Sequence, residues 1–353
     1  MTEQASTDPG SRTPEWWILG WPTARRSAQM ASQCEAAGWD GFLLTDTQCL
    51  AHDSYVQLAM CVAQTERIKL GTGVTNPVTR DPAVMASAVA TLQEESGGRM
   101  HVGIGRGDSS LAYIGQTPAP LSKLETYLEN LQSYLRGESV DREGFQSRLT
   151  WLSETEKKVP VDVAGTGPRV TRMAAALADG ITFAVGAEPE RLARKVADVT
   201  GHLEEVGRSR ESFTISAYIN CAANDDIAAA RDVVRGTAAV VARFSGMHGG
   251  KAAGDLTEED REVVLKLATE YDMRGHASSA APHARHLPDE FVDRFAVVGS
   301  ADVVEKRLRE LCAVGVDRIV LVWGSRDADP EAIDASVSSL STDVLPALRA
   351  QSA

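Results

Sequence analysis

The chain has 353 residues, of which 43% are hydrophobic and 24% are charged, and its formal net charge at pH 7 is −13. A chain of this length buries roughly 75% of the surface that its unfolded form exposes, which argues against disorder. No apolar run approaches the roughly 18 residues that a membrane-spanning helix needs, and the acidic balance argues against a broad nucleic-acid surface. We therefore expect neither a membrane protein nor a nucleic-acid-binding protein, and any anionic ligand must be held by local positive features.

The chain has five widely spaced cysteines, and none of them forms a C-x-x-C pair. This pattern is typical of free or buried thiols rather than of a disulfide framework or a zinc site. Free thiols are typical of proteins in a reducing compartment, so we expect a cytoplasmic protein. Residues 1–13 are polar and lack the basic and apolar segments of a signal peptide. We interpret them as a flexible leader that precedes one domain at 14–353.

Short apolar segments alternate with amphipathic segments along the chain, with a period of about 30 residues. The segments predicted as strands are 16–20, 41–45, 68–74, 100–104, 159–164, 181–185, 213–222 and 318–322. The segments predicted as helices are 24–37, 54–64, 82–95, 121–135, 168–177, 190–206, 226–244 and 301–313. Glycine after the first helix and proline at the start of others are the expected stop and start signals.

Eight strands that alternate with helices predict parallel pairing through crossover helices, as in a closed (β/α)8 barrel. An open, doubly wound sheet is the alternative. A barrel takes about 250 residues, so the rest of the chain must form a C-terminal helix and insertions. We expect a hairpin insertion at 137–151 and a glycine-led, partly helical insertion at 245–295. Because barrel active sites are built from loops after the strands, both insertions are candidate walls or lids of a substrate site.

The third predicted strand runs into LGTGVTNPVTRDP, the most informative segment of the chain. Glycines at Gly71 and Gly73 weaken a strand and indicate a bulge, or a place where a ligand approaches the backbone. Asn76 followed by Pro77 then forces a turn. An ordinary strand end with turn residues explains the same pattern without a ligand.

Two more glycine-rich segments follow predicted strands. GIGRGDSS, after the fourth strand, combines exposed backbone N–H groups with Arg106, so it could hold an anion or a flat polar ring. It lacks the third glycine of the dinucleotide fingerprint and the lysine of the Walker motif. AGTGPR, after the fifth strand, places Gly165, Thr166 and Gly167 at a helix N-terminus, which favours a phosphate. A plain strand-to-helix turn is the alternative there.

Asp46 ends the second predicted strand, at the catalytic rim if the chain is a barrel. Its carboxylate could relay a proton or bind a substrate, or it could only cap the following loop. In the second insertion, His276, His283 and Arg285 are candidates for contact with substrate or cofactor, and a surface loop is the alternative. No metal-ligand pattern accompanies these histidines and no G-x-S-x-G elbow occurs, so we expect neither a metal site nor serine hydrolase chemistry.

The run GTGVTNPVTRDPAVMASAVATLQEESGGRMHVGIGRGD resembles the core signature of the bacterial luciferase-like superfamily. Within it, the run is most similar to methylenetetrahydromethanopterin reductases and related oxidoreductases that depend on the deazaflavin coenzyme F420. Further similar segments are GTGPRVTRMAAALADGITFAVGAEPE and DRFAVVGSADVVEKRLRELCAVGVDRIVLV. The resemblance extends over most of the chain from Trp16 to Val322. It implies a (β/α)8 barrel with a deazaflavin or flavin over the C-terminal mouth.

The resemblance also implies site residues. A non-prolyl cis peptide behind the cofactor ring would fall between Gly73 and Val74, and Thr75 and Asn76 would line the ring edge. Asp46 matches the acidic position near the reacting face. Phosphate contacts are implied at Gly105, Gly107, Gly165, Thr166 and Gly167.

Two residues depart from the family pattern. Many deazaflavin-dependent relatives have histidine after the aspartate of the second strand, where this chain has Thr47. That difference argues against a dehydrogenase mechanism that needs the imidazole as base, and it leaves Asp46 as the proton relay and Thr47 as a candidate substrate contact. Arg106 stands where the methanopterin reductases tend to have proline. It could bind an added acidic group of cofactor or substrate, so the pterin substrate is not carried over.

We therefore expect an oxidoreductase that transfers hydride from reduced coenzyme F420 to a small electrophilic acceptor, namely a C=C, C=N or nitroaromatic compound. The first alternative is a monooxygenase that uses reduced FMN and oxygen and depends on a separate flavin reductase. The second is a non-catalytic cofactor-binding protein, because a fold does not imply a function. The family resemblance also implies a homodimer through barrel helices.

Overall fold

The computed structural model describes residues 13–153, 155, 157–247 and 256–350. The predicted leader lies outside the described residues except for Thr13, and so does part of the second predicted insertion, at 248–255.

Within the described residues, the strands follow the predicted order. They are β1 (Glu15–Gly20), β2 (Gly41–Leu44), β3 (Lys69–Thr75), β4 (Met100–Ile104), β5 (Val140–Arg142), β6 (Phe145–Ser147), β7 (Val161–Ala164), β8 (Gly180–Phe183), β9 (Thr214–Ala223), β10 (Val297–Gly299) and β11 (Arg318–Val322). The α-helices are α1 (Ser27–Ala37), α2 (Ser54–Gln64), α3 (Pro82–Glu95), α4 (Ser109–Ala112), α5 (Leu121–Leu135), α6 (Pro168–Leu177), α7 (Pro189–Glu205), α8 (Ile227–Gly246), α9 (Glu258–Glu270), α10 (Pro282–Arg285), α11 (Asp289–Phe295), α12 (Ala301–Cys312), α13 (Pro330–Ser339) and α14 (Leu345–Ala350).

Eight of these strands form a closed parallel barrel. The order around it is β1, β2, β3, β4, β7, β8, β9 and β11, and β11 pairs with β1 to close the ring. Helices lie between the strands, so the predicted (β/α)8 barrel is confirmed and the open sheet is excluded. Seven crossover connections join the eight strands and bring β11 back beside β1, so each barrel strand is paired on both sides.

Short-range signals set the start and end of several helices. The side chain of Asp53 accepts hydrogen bonds from the backbone N–H groups of Tyr55 and Val56 and so caps α2. Asp81 caps α3 in the same way, with proline at the first helical position. Gly38 ends α1 with φ +89°, a left-handed conformation in which a side chain is disfavoured.

Alternate strand residues fill the barrel interior. Trp17, Leu43, Tyr218 and Val320 form an apolar group that we call the interior cluster. Gly41 leaves room for it, because a Cβ at that position would lie 2.1 Å from the Trp17 ring. The barrel is thus a packed core at mid-height rather than a pore.

The two ends of the interior differ. At the N-terminal end, the carboxylate of Asp162 accepts a hydrogen bond from Arg318 at 2.8 Å and lies 3.1 Å from Nε2 of His101. Burial opposes the charge, but these contacts outweigh it and hold the pKa of Asp162 below its ordinary value. At the C-terminal end, the interior side chains are only partly buried. We call this end the mouth, and its apolar lining is Leu19, Val74, Ala164, Ala184 and Val322.

Two regions depart from the regular barrel. The segment at 137–151 contains the antiparallel hairpin β5–β6, as the glycine and the alternating apolar residues there predict. Strand β10 was not predicted, because three residues are too few to show periodicity. It pairs with the end of β9, at Cys221–Ala223, and β8 correspondingly ends at Phe183 rather than at Val185. The insertion helices α9, α10 and α11 precede β10.

The five cysteines are free thiols, as their spacing predicts. Among the described helices, none combines the length and the apolar character needed to cross a membrane.

Candidate active site

The third strand carries an irregularity at the mouth. The peptide bond between Gly73 and Val74 is cis, and the register between β3 and β4 shifts between Thr72 and Thr75. Both the predicted bulge and the position of the cis peptide are confirmed. A Cβ at Gly73 would lie 2.6 Å from Cδ1 of Leu19, so the interior has no room for a side chain at this point.

Asp46 lies beside this bulge, in the loop after β2. The hydroxyl of Thr75 donates a hydrogen bond to Oδ2 of Asp46 at 2.7 Å, and the hydroxyl of Tyr55 donates to Oγ1 of Thr75 at 3.1 Å. Because the Thr75 hydroxyl has one proton and gives it to the carboxyl group, it can only accept from Tyr55, whose own proton also has Sδ of Met85 within reach, at 3.0 Å. In the described part of the chain, Oδ1 of Asp46 has no hydrogen-bond partner. One carboxyl oxygen is therefore held, and the other is free for a ligand.

The environment of Asp46 favours a proton on it. Burial raises the pKa of this carboxyl above its ordinary value, while the hydrogen bond from Thr75 and the charge of Arg80 act in the opposite direction and do not cancel the effect. Arg80 is held over the Tyr55 ring, 4.0 Å from its centroid, and pairs with Asp53 at 2.9 Å. An acid with a raised pKa keeps its proton closer to neutral pH, as a general acid must.

The turn after β3 is joined to the loop after β4. Asn76 accepts hydrogen bonds from the backbone N–H groups of Val78 and Thr79, which is the predicted turn, and its Nδ2 lies 3.3 Å from the hydroxyl of Ser110. The Asn76 side chain is buried and is used to build the site. The backbone N–H of Gly105 donates to the carbonyl of Thr75 at 2.9 Å, which continues the ladder beyond the bulge.

The loop after β4 approaches the bulge because its glycines have no side chains. A Cβ at Gly105 would lie 3.2 Å from Cγ2 of Val74. Gly107 has φ +83°, and a Cβ there would lie 2.5 Å from Leu111. Arg106 points its Nε at the carbonyl of Ala119, at 2.6 Å, so this bond sets the direction of its guanidinium.

Arg243 of α8 anchors the same loop. It donates two hydrogen bonds to the carboxylate of Asp108, at 2.7 and 3.0 Å, and its guanidinium lies 4.6 Å from the ring centroid of Tyr271 in the second insertion. The pair is largely buried, so it fixes the loop more firmly than a surface pair would. Sequence reasoning missed Arg243 and Tyr55, because no local spacing connects them with the glycine loops.

The third predicted loop lies after β7, the next strand of the barrel. Gly165, Thr166 and Gly167 are partly exposed, and α6 begins directly after them. Gly167 is the N-cap, and no side chain caps the helix. A Cβ at Gly167 would meet nothing within 4 Å. Open space therefore faces backbone N–H groups that have no capping side chain, an arrangement suited to an anion.

The predicted histidine contacts in the second insertion adjoin the Arg243–Asp108 pair through Tyr271. His276 is buried, with Nδ1 2.9 Å from the hydroxyl of Tyr271, and the His283 ring is 4.1 Å from the Tyr271 ring. Burial lowers the pKa of His276 to about 4, so this imidazole is neutral at pH 7. Arg285 is exposed on α10. Among the described residues, the hydrogen bonds of these side chains do not reach Asp46 or the glycine loops, and the histidines pack within the insertion. Thr47 is buried next to Asp46.

Comparison with known proteins finds similar sequences over most of the chain. A family model described as luciferase-like monooxygenase matches residues 2–318. A 5,10-methylenetetrahydromethanopterin reductase of Archaeoglobus fulgidus is 30% identical over 299 residues, which cover 81% of this chain and 86% of that protein. An F420-dependent glucose-6-phosphate dehydrogenase of Microbacterium testaceum is 27% identical over 279 residues, which cover 74% of this chain and 80% of that protein.

A solved structure shows the same fold. The coenzyme F420-dependent tetrahydromethanopterin reductase of Methanopyrus kandleri superposes with a TM-score of 0.71 at 21% identity, over 95% of this chain and 99% of that chain. The family model covers most of the chain, and the A. fulgidus relative reaches the same identification independently. The protein therefore belongs to the bacterial luciferase-like family.

Proposed function

We propose that this protein is an oxidoreductase that uses coenzyme F420 to reduce a small electrophilic organic acceptor. The observation that carries the proposal is the pairing of Asp46 with the bulge: a buried carboxyl of raised pKa is held by Thr75 at the point where the backbone opens toward the mouth. Relatives named as F420-dependent enzymes support the choice of cofactor.

The residues at the mouth fit this cofactor. Val74 and the apolar lining of the mouth offer a flat, water-poor surface for a ring, and the lack of side chains at Gly105 and Gly107 keeps that surface accessible. The uncapped N-terminus of α6, after Gly167, together with Arg106, would hold the anionic side chain of the cofactor. These local positive features would attract an anionic ligand even though the net charge of the chain is −13.

When bound, reduced F420 supplies a hydride. The protein itself has to position the acceptor, exclude water and provide a proton. We assign that proton to Asp46, because burial raises the pKa of its carboxyl, and Thr75 and Tyr55 keep the carboxyl in one orientation. Once cofactor and acceptor cover the partly exposed side chains of the mouth, bulk water would be excluded, which would strengthen each polar contact made there. We propose that the two insertions, as far as the structure describes them at 137–151 and at 245–247 and 256–295, form walls of the substrate site.

Titration of the purified protein with F420 and, separately, with FMN tests the proposal. We expect quenching of deazaflavin fluorescence with micromolar or tighter affinity, and weaker binding of FMN. The protein should then oxidise reduced F420 only when an electrophilic acceptor is added. Tight FMN binding without F420 binding would overturn the choice of cofactor. Binding of F420 without turnover of any acceptor would favour a non-catalytic cofactor-binding protein.

The description of the family model as luciferase-like monooxygenase favours a second candidate. In that case the protein would use reduced FMN and oxygen, and a separate reductase would supply the flavin. Oxygen consumption in the presence of reduced FMN and substrate distinguishes the two activities, because an F420-dependent reduction consumes no oxygen.

We also propose that two copies associate through the outer faces of α2 and α3. Val56, Met60 and Val84 are exposed by 60%, 50% and 53%, and they lie beside an open apolar groove on the same helices. Clustered exposed apolar side chains of this kind mark interfaces. Met60→Asp should halve the mass measured by light scattering after gel filtration. Val303→Asp, which changes an equally exposed valine on α12, should leave the mass unchanged. A wild-type monomer would contradict the proposal.

A further inference from the structure

Asn220 of β9 is a buried amide without partners. Its side chain is part of a residue that is 1% exposed, and neither Nδ2 nor Oδ1 has a hydrogen-bond partner in the part of the chain that the structure describes. An amide carries two N–H donors and a carbonyl acceptor, and buried polar side chains are as a rule hydrogen-bonded. A side chain that offers both kinds of group and uses neither points to a ligand.

The neighbours of Asn220 along β9 define its position in the barrel. Two residues before it, Tyr218 belongs to the interior cluster. Two residues after it, Ala222 packs in the apolar cluster formed by α8, α9 and α11, which we call the insertion cluster. Because alternate strand residues share a face, Asn220 lies where the barrel interior meets the insertion. Ala184, which is partly exposed, contacts both clusters, so the mouth extends to this boundary.

The strand is also open at this point. On one side, β8 pairs with β9 only as far as Ala217, and β10 begins to pair at Cys221. Within the described residues, no strand therefore pairs with that side of β9 at Asn220. The barrel wall has a gap next to the amide.

Asn220 lies across the barrel from the bulge of β3. The proposed cofactor loops follow β3, β4 and β7. In the closed ring, β9 is opposite β3, with β4, β7 and β8 between them on one side and β2, β1 and β11 on the other. Asp46 follows β2. A molecule that lies between the cofactor loops and the opposite wall would contact the proton of Asp46 at one end and the amide of Asn220 at the other.

We propose that Asn220 determines substrate specificity by binding an amide edge, and that the acceptor is a small α,β-unsaturated lactam or imide. This inference rests on the proposed function. The Asn220 carbonyl would accept from the lactam N–H, and its NH₂ would donate to the lactam carbonyl, so that both groups are satisfied by one ligand. In such a reduction, hydride from the reduced deazaflavin would add to the β carbon and the proton of Asp46 to the α carbon, with loss of the C=C π bond. The deazaflavin would be oxidised by two electrons, and the proton that it releases on oxidation would balance the one that Asp46 gives up.

Binding of non-reactive analogues tests this assignment. We compare δ-valerolactam with δ-valerolactone, which lacks the N–H, by calorimetry on the F420-loaded protein. The wild type should bind the lactam at least tenfold more tightly than the lactone, because a site that hydrogen-bonds a donor rejects an analogue without it. Asn220→Leu should abolish that preference and change the affinity for F420 by less than twofold.

The control is Ser216→Ala. Ser216 is on the same strand and the same face, and its buried hydroxyl also lacks a partner among the described residues, but it lies below Tyr218 and away from the mouth. Both the lactam preference and F420 binding should be unchanged in this variant. If Asn220→Leu does not fold, Asn220→Asp, which has the same shape and loses the donor, should weaken lactam binding at least tenfold.

Equal affinity of the wild type for lactam and lactone would overturn the assignment. So would an Asn220→Leu variant that loses F420 binding and keeps the lactam preference, because the amide would then belong to the cofactor. The same comparison on cofactor-free protein reports on Asn220 by itself, so a wild type that binds the lactam but not F420 contradicts the proposed function and the reduction of the lactam, while the binding of an amide edge by Asn220 stands.

Discussion

Replacement of Asp46 by asparagine is expected to slow acceptor reduction by about 10²- to 10⁴-fold, the usual contribution of a positioned general acid. Asparagine has the same shape, and its Oδ1 can still accept the hydrogen bond from Thr75, so the bulge should keep its conformation. The rate is measured as single-turnover oxidation of reduced F420 in the presence of acceptor. Asp198→Asn, at an exposed position on α7, is the control and should leave the rate unchanged.

The same substitution slows the reaction but is not expected to destabilise the folded protein. Burial raises the pKa of Asp46 in the folded protein, so between the ordinary and the raised pKa the native state binds more protons than the unfolded state. The free energy of unfolding of the wild type therefore decreases as pH rises through that window. Asp46→Asn removes this loss, and thermal unfolding should show a variant at least as stable as the wild type at pH 7. A variant that is both less stable and fully active would contradict this account of Asp46.

The rate of acceptor reduction is expected to depend on pH through Asp46. A general acid must be protonated, so the wild-type rate should fall as pH rises through the raised pKa of Asp46. Thr75→Val removes a hydrogen bond that lowers this pKa, and the fall should then move to higher pH. A purely structural role of Thr75 would reduce the rate without moving the profile.

Gly167→Leu is expected to weaken F420 binding at least tenfold while the barrel stays folded. A side chain at Gly167 meets no protein atom within 4 Å, and the φ of −88° is accessible to any residue, so the folded protein can accommodate leucine. The added side chain would occupy the space before the N-terminus of α6 that we assign to the anionic part of the cofactor. Affinity is measured by fluorescence titration, and the fold by circular dichroism and thermal unfolding.

The matched control is Gly201→Leu on α7. A Cβ at Gly201 also meets nothing within 4 Å, but the position is in the middle of a helix away from the mouth. Leucine is a better helix former than glycine, so this variant should be slightly more stable and should bind F420 normally. Unchanged F420 affinity in Gly167→Leu would place the anionic part of the cofactor elsewhere.

Short-range patterns predicted much of the molecule. The eight barrel strands and most helix ends follow from apolar periodicity, caps and glycines, each of which acts over a few residues. The cis peptide at Gly73 was found through resemblance to the family, and the structure confirms it. The exceptions are instructive. Strand β10 is too short to show a pattern, and β8 ends early because β9 changes partners from β8 to β10.

Sequence patterns could not predict which side chains contact each other in the site. Thr75 and Asp46 are 29 residues apart, and Arg243 and Asp108 are 135 residues apart. No local rule connects such residues, because their contact depends on how the strands and the insertion are arranged around the ring. Asn220 looks like any polar residue in a strand until its neighbours on both sides are known.

Length and composition by themselves indicated a large folded core and argued against membrane-spanning and nucleic-acid-binding classes, and strand periodicity together with the family resemblance favoured a barrel over an open sheet. These properties are sums over the chain or over short windows, so they need no knowledge of contacts. Only the tertiary structure decided that Tyr55 and Thr75 orient Asp46, that Arg243 anchors the glycine loop, and that Asn220 is left without a partner among the residues that the structure describes. Each of these depends on which side chains meet across the barrel, and the closure of the ring is what brings them together.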